Sequence, residues 1–233
     1  MDFYNREYMN EFLKNNWWKL LGIGLILYSI IAGFLIRIPE LPIIRESIRN
    51  LFFHVVMWFS MMVMFGTSLF RSLRYLSTFD IKHDVYAIQS VNVGLFFGIM
   101  GIVTGMEWAN FTWGTPWTND PQLNGAAITI LAYFAYLVLR RSIDEENKRA
   151  RIAAVYNVFA FVMLIVFIGI LPRLAQGSLH PGKGGSPMTV TNLDFTMRLV
   201  FYPAIVGWII IGYWLTSIRV KMANIRLHLD NPE

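Results

Sequence analysis

Six long, mainly apolar stretches recur along the chain, at residues 18–36, 51–70, 85–106, 121–139, 152–171 and 199–218. A helix rises about 1.5 Å per residue, so roughly 20 such residues cross a hydrocarbon core of about 30 Å. The pattern predicts an all-α polytopic membrane protein with six transmembrane helices, forming one membrane domain over residues 1–233. Composition agrees, since 55% of the side chains are hydrophobic, only 15% are charged and the mean hydropathy is +0.47. A soluble globular domain carries far more charge. The first stretch is long and lacks a marked small-residue cleavage site, so it is read as a span and not as a removed leader.

The net charge of +5 does not point to nucleic acid, because the basic residues lie in short runs between the apolar stretches. Six spans put both termini on one side. Of the 20 lysines and arginines, 14 fall on the side of the termini and six on the other. Positive charge is retained on the cytoplasmic side, which places both termini in the cytoplasm. Three external connections remain. Residues 37–50 are expected to include a short surface helix whose Ile43, Ile44 and Ile48 share a face. Residues 107–120 form a tryptophan-rich loop, and residues 172–198 form the longest loop and carry a histidine.

The tryptophan-rich loop contains WGTPWTND, with Trp108, Trp113 and Trp117 set around Gly114, Thr115 and Pro116. A turn at Gly114 can bring the indoles to one surface. Tryptophans at a span end also serve as interfacial anchors, and the two readings stand side by side. A shelf of indoles suits a flat, apolar ligand lying partly in the membrane. Asp120 followed by Pro121 reads as an N-cap and first helical residue opening the fourth span. Glu107 reads as a solvated flank.

There are four histidines. His83 and His228 fall on the terminal side as flanking residues, whereas His54 and His180 fall on the same side as the tryptophan-rich loop. An ionisable group close to hydrocarbon, as His54 is, needs a partner or a purpose. Each histidine is open to a packing role. Together, two imidazoles can supply both axial ligands of a porphyrin iron. A zinc site is the weaker alternative, because a third ligand would have to come from Asp120 or Glu107. The chain has no cysteine, which excludes disulfides, thiolate-bound metal, a thiol nucleophile and covalent haem attachment through Cys-x-x-Cys-His. Haem carboxylates call for external cations, here Arg45, Arg49, Arg173, Lys183 and Arg198, with Arg173 and Arg198 bracketing the histidine-bearing loop.

With these residues in view, the chain resembles the CcmC-type haem-handling proteins of cytochrome c maturation, the haem exporter protein C family. Trp113, Gly114, Trp117 and Asp120 match that family's WGxxWxWD core, while Asn119 stands where another tryptophan is usual. The resemblance covers almost the whole chain, and the larger cytochrome c synthetase type, with more spans and a further histidine pair, fits less well. It implies that His54 and His180 bind the iron of haem b axially, that the tryptophan-rich segment supports the macrocycle, and that the site faces the periplasm of a bacterial inner membrane. It also implies transfer to a CcmE-like membrane-anchored haem chaperone, with an ABC-type maturation complex and a small membrane subunit as further partners. The chain has no phosphate-binding glycine loop ending in Lys-Ser or Lys-Thr, so ATP hydrolysis is expected elsewhere, and the chain is read as a carrier and not as an enzyme. The alternatives are a transmembrane haem transporter, for which Asn92, Thr104 and Asn157 are the polar midspan candidates, a b-type electron-transfer protein, and a purely structural assembly subunit.

Overall fold

The structure, a computed structural model, describes residues 2–38, 45–175, 179–180 and 193–230. Ile43, Ile44 and Lys183 lie outside the described residues, as does the side chain of Arg45. The described residues are helical, with no strand among them. Helix α1 spans Asp2–Leu35, a 3-10 helix Arg45–Phe52, α2 His54–Thr78, α3 Ile81–Trp113 and α4 Pro121–Arg141. Helix α5, Glu146–Leu164, continues through a π-helical turn, Ile165–Ile170, into the short α6, Leu171–Leu174, before α7, Phe195–Asp230. Six helical spans are long and apolar enough to cross a membrane.

The predicted spans fall inside longer helices, because a helix does not stop where hydrocarbon does. The third helix shows this most clearly. It runs past residue 106 to Trp113, so the expected loop at 107–120 is helical through its first half. Gly114 ends it with φ 76°, donating its N–H to the Asn110 carbonyl at 3.1 Å. That left-handed turn is cheap only for glycine. Where a short surface helix is expected, the described residues form a 3-10 helix, Arg45–Phe52, with Ile48 packed against the core.

Helices α2 and α3 form the tightest pair, an antiparallel hairpin turned by Phe79 and Asp80. A row of glycines on α3 explains the closeness. A Cβ added at Gly94 would come 2.6 Å from Phe65, one at Gly98 2.9 Å from Met61, one at Gly101 2.8 Å from Trp58 and one at Gly105 2.6 Å from His54. Without a Cβ, the α2 side chains lie directly on the α3 backbone. Across the bundle, Phe65 stacks on Tyr133 of α4 at 3.5 Å between ring centroids. The polar residues of the span interiors are mostly consumed by packing. Asn157 of α5 donates to Ser68 at 2.7 Å and Ser72 at 2.8 Å on α2. Asn92 donates to Gln89 on its own helix at 3.4 Å. At the terminal side, Arg140 of α4 forms a two-pronged bond to Asp84 of α3 at 2.6 and 2.7 Å.

Candidate functional site

The start of α2 packs on the last part of α3, and the segment after α6 is bonded to the start of α4 and packed against the end of α3. Asp120 organises the latter contact. Its carboxylate caps α4 by accepting from the Gln122 N–H at 2.8 Å, the role expected of Asp-Pro at a helix start. It does more than cap. The same carboxylate accepts from the Leu179 N–H at 2.8 Å and lies 3.0 Å from Nδ1 of His180. A residue only 3% exposed thus ties a distant segment to the helix start.

That tie puts His180 against the indoles. Its ring centroid is 5.1 Å from Trp113, edge to face, and 6.4 Å from Trp108. Trp108 and Trp113 pack on each other at 5.2 Å. Residues five apart on a helix lie about 140° around its axis, and the large rings close the gap. Trp117 stands apart from this trio, at 38% exposure, with its carbonyl accepting from the Thr115 hydroxyl at 3.1 Å. Trp108 and Trp113, two residues of the last helical turns, pack together beside His180, while Trp117 lies beyond the turn at Gly114. Asn119, in the position of the missing tryptophan, accepts from Asn124 at 2.7 Å.

The spacing of His180 and Asp120 would make an ion pair if the imidazole were charged. Burial opposes that charge more strongly than the carboxylate favours it, and the His180 pKa lies below its ordinary value of 6.5. At neutral pH the ring is neutral and Nδ1 carries the proton it donates to Asp120. The lone pair of this tautomer is on Nε2. A carboxylate on one ring nitrogen both orients an imidazole and raises its basicity as a ligand.

His54 opens α2 and lies on the α3 glycine row. Nδ1 is 2.9 Å from the Gly101 carbonyl oxygen and 3.2 Å from the Thr104 hydroxyl. A carbonyl only accepts, so here too Nδ1 is the donor. His54 thus sits on Gly101 and Gly105 of α3, and His180 beside Trp108 and Trp113 farther along the same helix. Thr104, set down from sequence as a midspan polar residue, belongs to this site. Trp58 also contacts His54. It donates from Nε1 to His54 Nε2 at 3.3 Å, and its spacing of four residues from His54 on a helix is the signal that would have found it.

Among the basic candidates, Arg173 donates to the carbonyl of Gly169 and Arg198 to that of Leu193, the latter at 2.7 Å. Arg49 bonds Glu46 and the Gly33 carbonyl, both at 2.6 Å. The bonds of Arg173 and Arg198 stay within five residues, that of Arg49 to Gly33 crosses to α1, and none of these bonds is to a histidine. Among the described residues no three histidine or acidic side chains gather as metal ligands, and Asp120 is spent on the far nitrogen of His180.

Residues 4–231 match the family described as heme exporter protein C. The chain belongs to that family. Relatives outside the present chain support the assignment. It is 31% identical to the heme exporter protein C of Bradyrhizobium diazoefficiens over 169 residues, 66% of this chain and 63% of that one. It is 38% identical over 87 residues to a cytochrome c biogenesis protein CcsA of Prochlorococcus marinus, 37% of this chain and 27% of the relative. With the CcsA protein of Cuscuta reflexa, identity is 25% over 177 residues, 74% of this chain and 56% of the relative. The chain thus spans between about a quarter and just under two thirds of the length of these relatives. Membership makes it a multi-pass membrane protein of a family concerned with cytochrome c biogenesis.

Proposed function

We propose that the protein holds haem b at the external, periplasmic face of the cytoplasmic membrane and presents it to a CcmE-like membrane-anchored chaperone during c-type cytochrome biogenesis. The observation that carries this reading is the matched seating of two histidines. Each imidazole donates from Nδ1 to an oxygen acceptor and so keeps its lone pair on Nε2, and one of them rests on a pair of indoles.

When bound, haem supplies an iron with two axial positions and a flat, apolar macrocycle. His54 and His180 are the proposed axial ligands, with Gly101 and Asp120 holding their tautomers. Trp108 and Trp113 exclude water from the ring face and fix its orientation. Gly114 sets where the helix bearing them stops. Trp117, 38% exposed, is the proposed contact for the chaperone. Arg173 and Arg198 are the proposed partners of the haem carboxylates, each exchanging a backbone carbonyl for a stronger, charge-assisted bond. The sequence contains no phosphate-binding glycine loop, so an ABC-type complex with a small membrane subunit would supply the ATP-driven step.

Two of the three polar midspan candidates make local contacts, the Asn157 amide nitrogen with Ser68 and Ser72 and Thr104 with His54, which favours this reading over a transport pathway. A buried electron carrier fits less well, because His54 is the first residue of its helix and His180 is in a connecting segment. The test is the haem content and absorption spectrum of protein purified from membranes. His54→Ala and His180→Ala should each open one axial position and turn a low-spin spectrum high-spin. Trp113→Ala should lower haem retention with the axial ligands unchanged. Unaltered coordination in both histidine variants would mean that these are not the ligands.

A further inference from the structure

Trp58 faces His54 in a way that bears on how readily that histidine can take or give up a ligand. The indole Nε1 can only donate, so the 3.3 Å contact to His54 Nε2 makes that nitrogen the acceptor. The opposite ring nitrogen, 2.9 Å from the Gly101 carbonyl, must be the donor for the same reason. Two independent partners thus define one tautomer, and the indole takes the lone pair that a metal ion would need. The rings meet edge to face, at 80° with centroids 6.1 Å apart. The indole is held there by the glycine row of α3, where a Cβ on Gly101 would lie 2.8 Å from its Cε2 and 3.1 Å from its Cζ2. Trp58 also packs against the core.

An imidazole nitrogen has one lone pair in the ring plane, and it serves either a hydrogen bond or a metal. We infer that Trp58 is a positioning residue that competes with iron for His54 Nε2, keeping this axial ligand exchangeable. The inference rests on the haem reading above and adds to it a residue that opposes binding. The Trp58 N–H would have to give up His54 Nε2 for that nitrogen to serve as a ligand, and would take it back once the position was vacated. A carrier that must surrender its cargo gains from such a substitute donor, because the vacated imidazole is never left facing apolar surroundings with its lone pair unsatisfied. His180 has a different arrangement, with aromatic faces beside it and a carboxylate behind it.

The experiment uses the full chain in detergent, stripped of haem and titrated with haem or with iron-free protoporphyrin. Trp58→Phe and Trp58→Leu both remove the donor and keep apolar bulk, and the variant whose thermal unfolding matches the wild type is carried forward. Losing one competing neutral hydrogen bond should tighten haem binding about fivefold and slow its release to a haem-scavenging globin by a similar factor. Binding of iron-free protoporphyrin should not change, since no iron contests the lone pair. In a His54→Ala background, the Trp58 substitution should have no effect on haem binding. Haem affinity that is unchanged or weaker, or that moves in step with the iron-free porphyrin, overturns the inference while leaving His54 as a ligand. A His54→Ala protein with an unaltered haem spectrum overturns the ligand reading itself and the inference with it.

Discussion

At the scale of the residue, Asp120 carries more of the site than any other side chain. It caps a helix, holds the Leu179 backbone and orients His180. Asn caps a helix nearly as well as Asp, but its amide nitrogen cannot accept, so Asp120→Asn separates the duties. With its oxygen in the Oδ1 place, which accepts from both Gln122 and His180, this variant strands only the Leu179 N–H that Oδ2 accepts, at about 1–3 kcal/mol, and Asp120→Ala should cost about 1 kcal/mol more through the cap. Thermal unfolding of the two variants against wild type checks the order. His180 also predicts a pH dependence. Its folded-state pKa is depressed, first by burial and against the pull of Asp120, so the folded chain refuses a proton that the unfolded chain accepts. Its contribution to stability is complete above the ordinary value of 6.5 and is lost as pH falls from there through the folded pKa. His180→Gln should flatten the decline in unfolding temperature below that pH; an unchanged slope would show that other groups set it.

At the scale of the element, glycines decide how closely helices approach, and they do so for different reasons. Gly114 has open space around its missing Cβ, and only its φ of 76° resists a side chain. Gly114→Ala should therefore cost about 1 kcal/mol. Gly125 at the start of α4 faces the π-helical turn, where a Cβ would lie 2.2 Å from the Phe167 carbonyl oxygen. Backbone cannot rotate away as a side chain can, so Gly125→Ala should cost more, about 1–3 kcal/mol from overpacking, and shift α4 against α5. Comparing their unfolding temperatures tests the distinction. Asp-Pro at 120–121 marked the start of α4 correctly, because both residues act through local backbone chemistry. The end of α3 was misplaced by seven residues, because polar residues such as Glu107 and Asn110 end a hydrophobic run without ending a helix.

At the scale of the whole molecule, the Asp84–Arg140 pair ties α3 to α4 at the terminal side with side chains only 6% and 10% exposed. Removing one partner leaves a buried charge, so Asp84→Ala should cost about 3–5 kcal/mol. Asp84→Leu with Arg140→Met should restore much of that stability, measured by thermal unfolding in micelles. Orientation is testable because the chain contains no cysteine. A cysteine at Asn119 should react with a membrane-impermeant thiol reagent added outside intact cells. One at Lys148 should react only after the membrane is opened, and the reverse pattern would invert the topology drawn from the lysines and arginines.

The sequence alone determined the class of fold and the number of spans, because apolar length is a local property that the bilayer reads directly. It also brought out His54, His180, Trp113, Gly114 and Asp120 as residues of interest. What it could not decide was which of them touch. The Asp120–His180 bond joins residues 60 apart, and the Trp108–Trp113 pair depends on a helix running farther than its hydrophobic stretch. The seat of His54 on Gly101, Gly105 and Thr104 depends on how far α2 slides along α3. That register is set by side chains meeting a glycine row, an outcome of three-dimensional packing that no single helix carries in its own sequence.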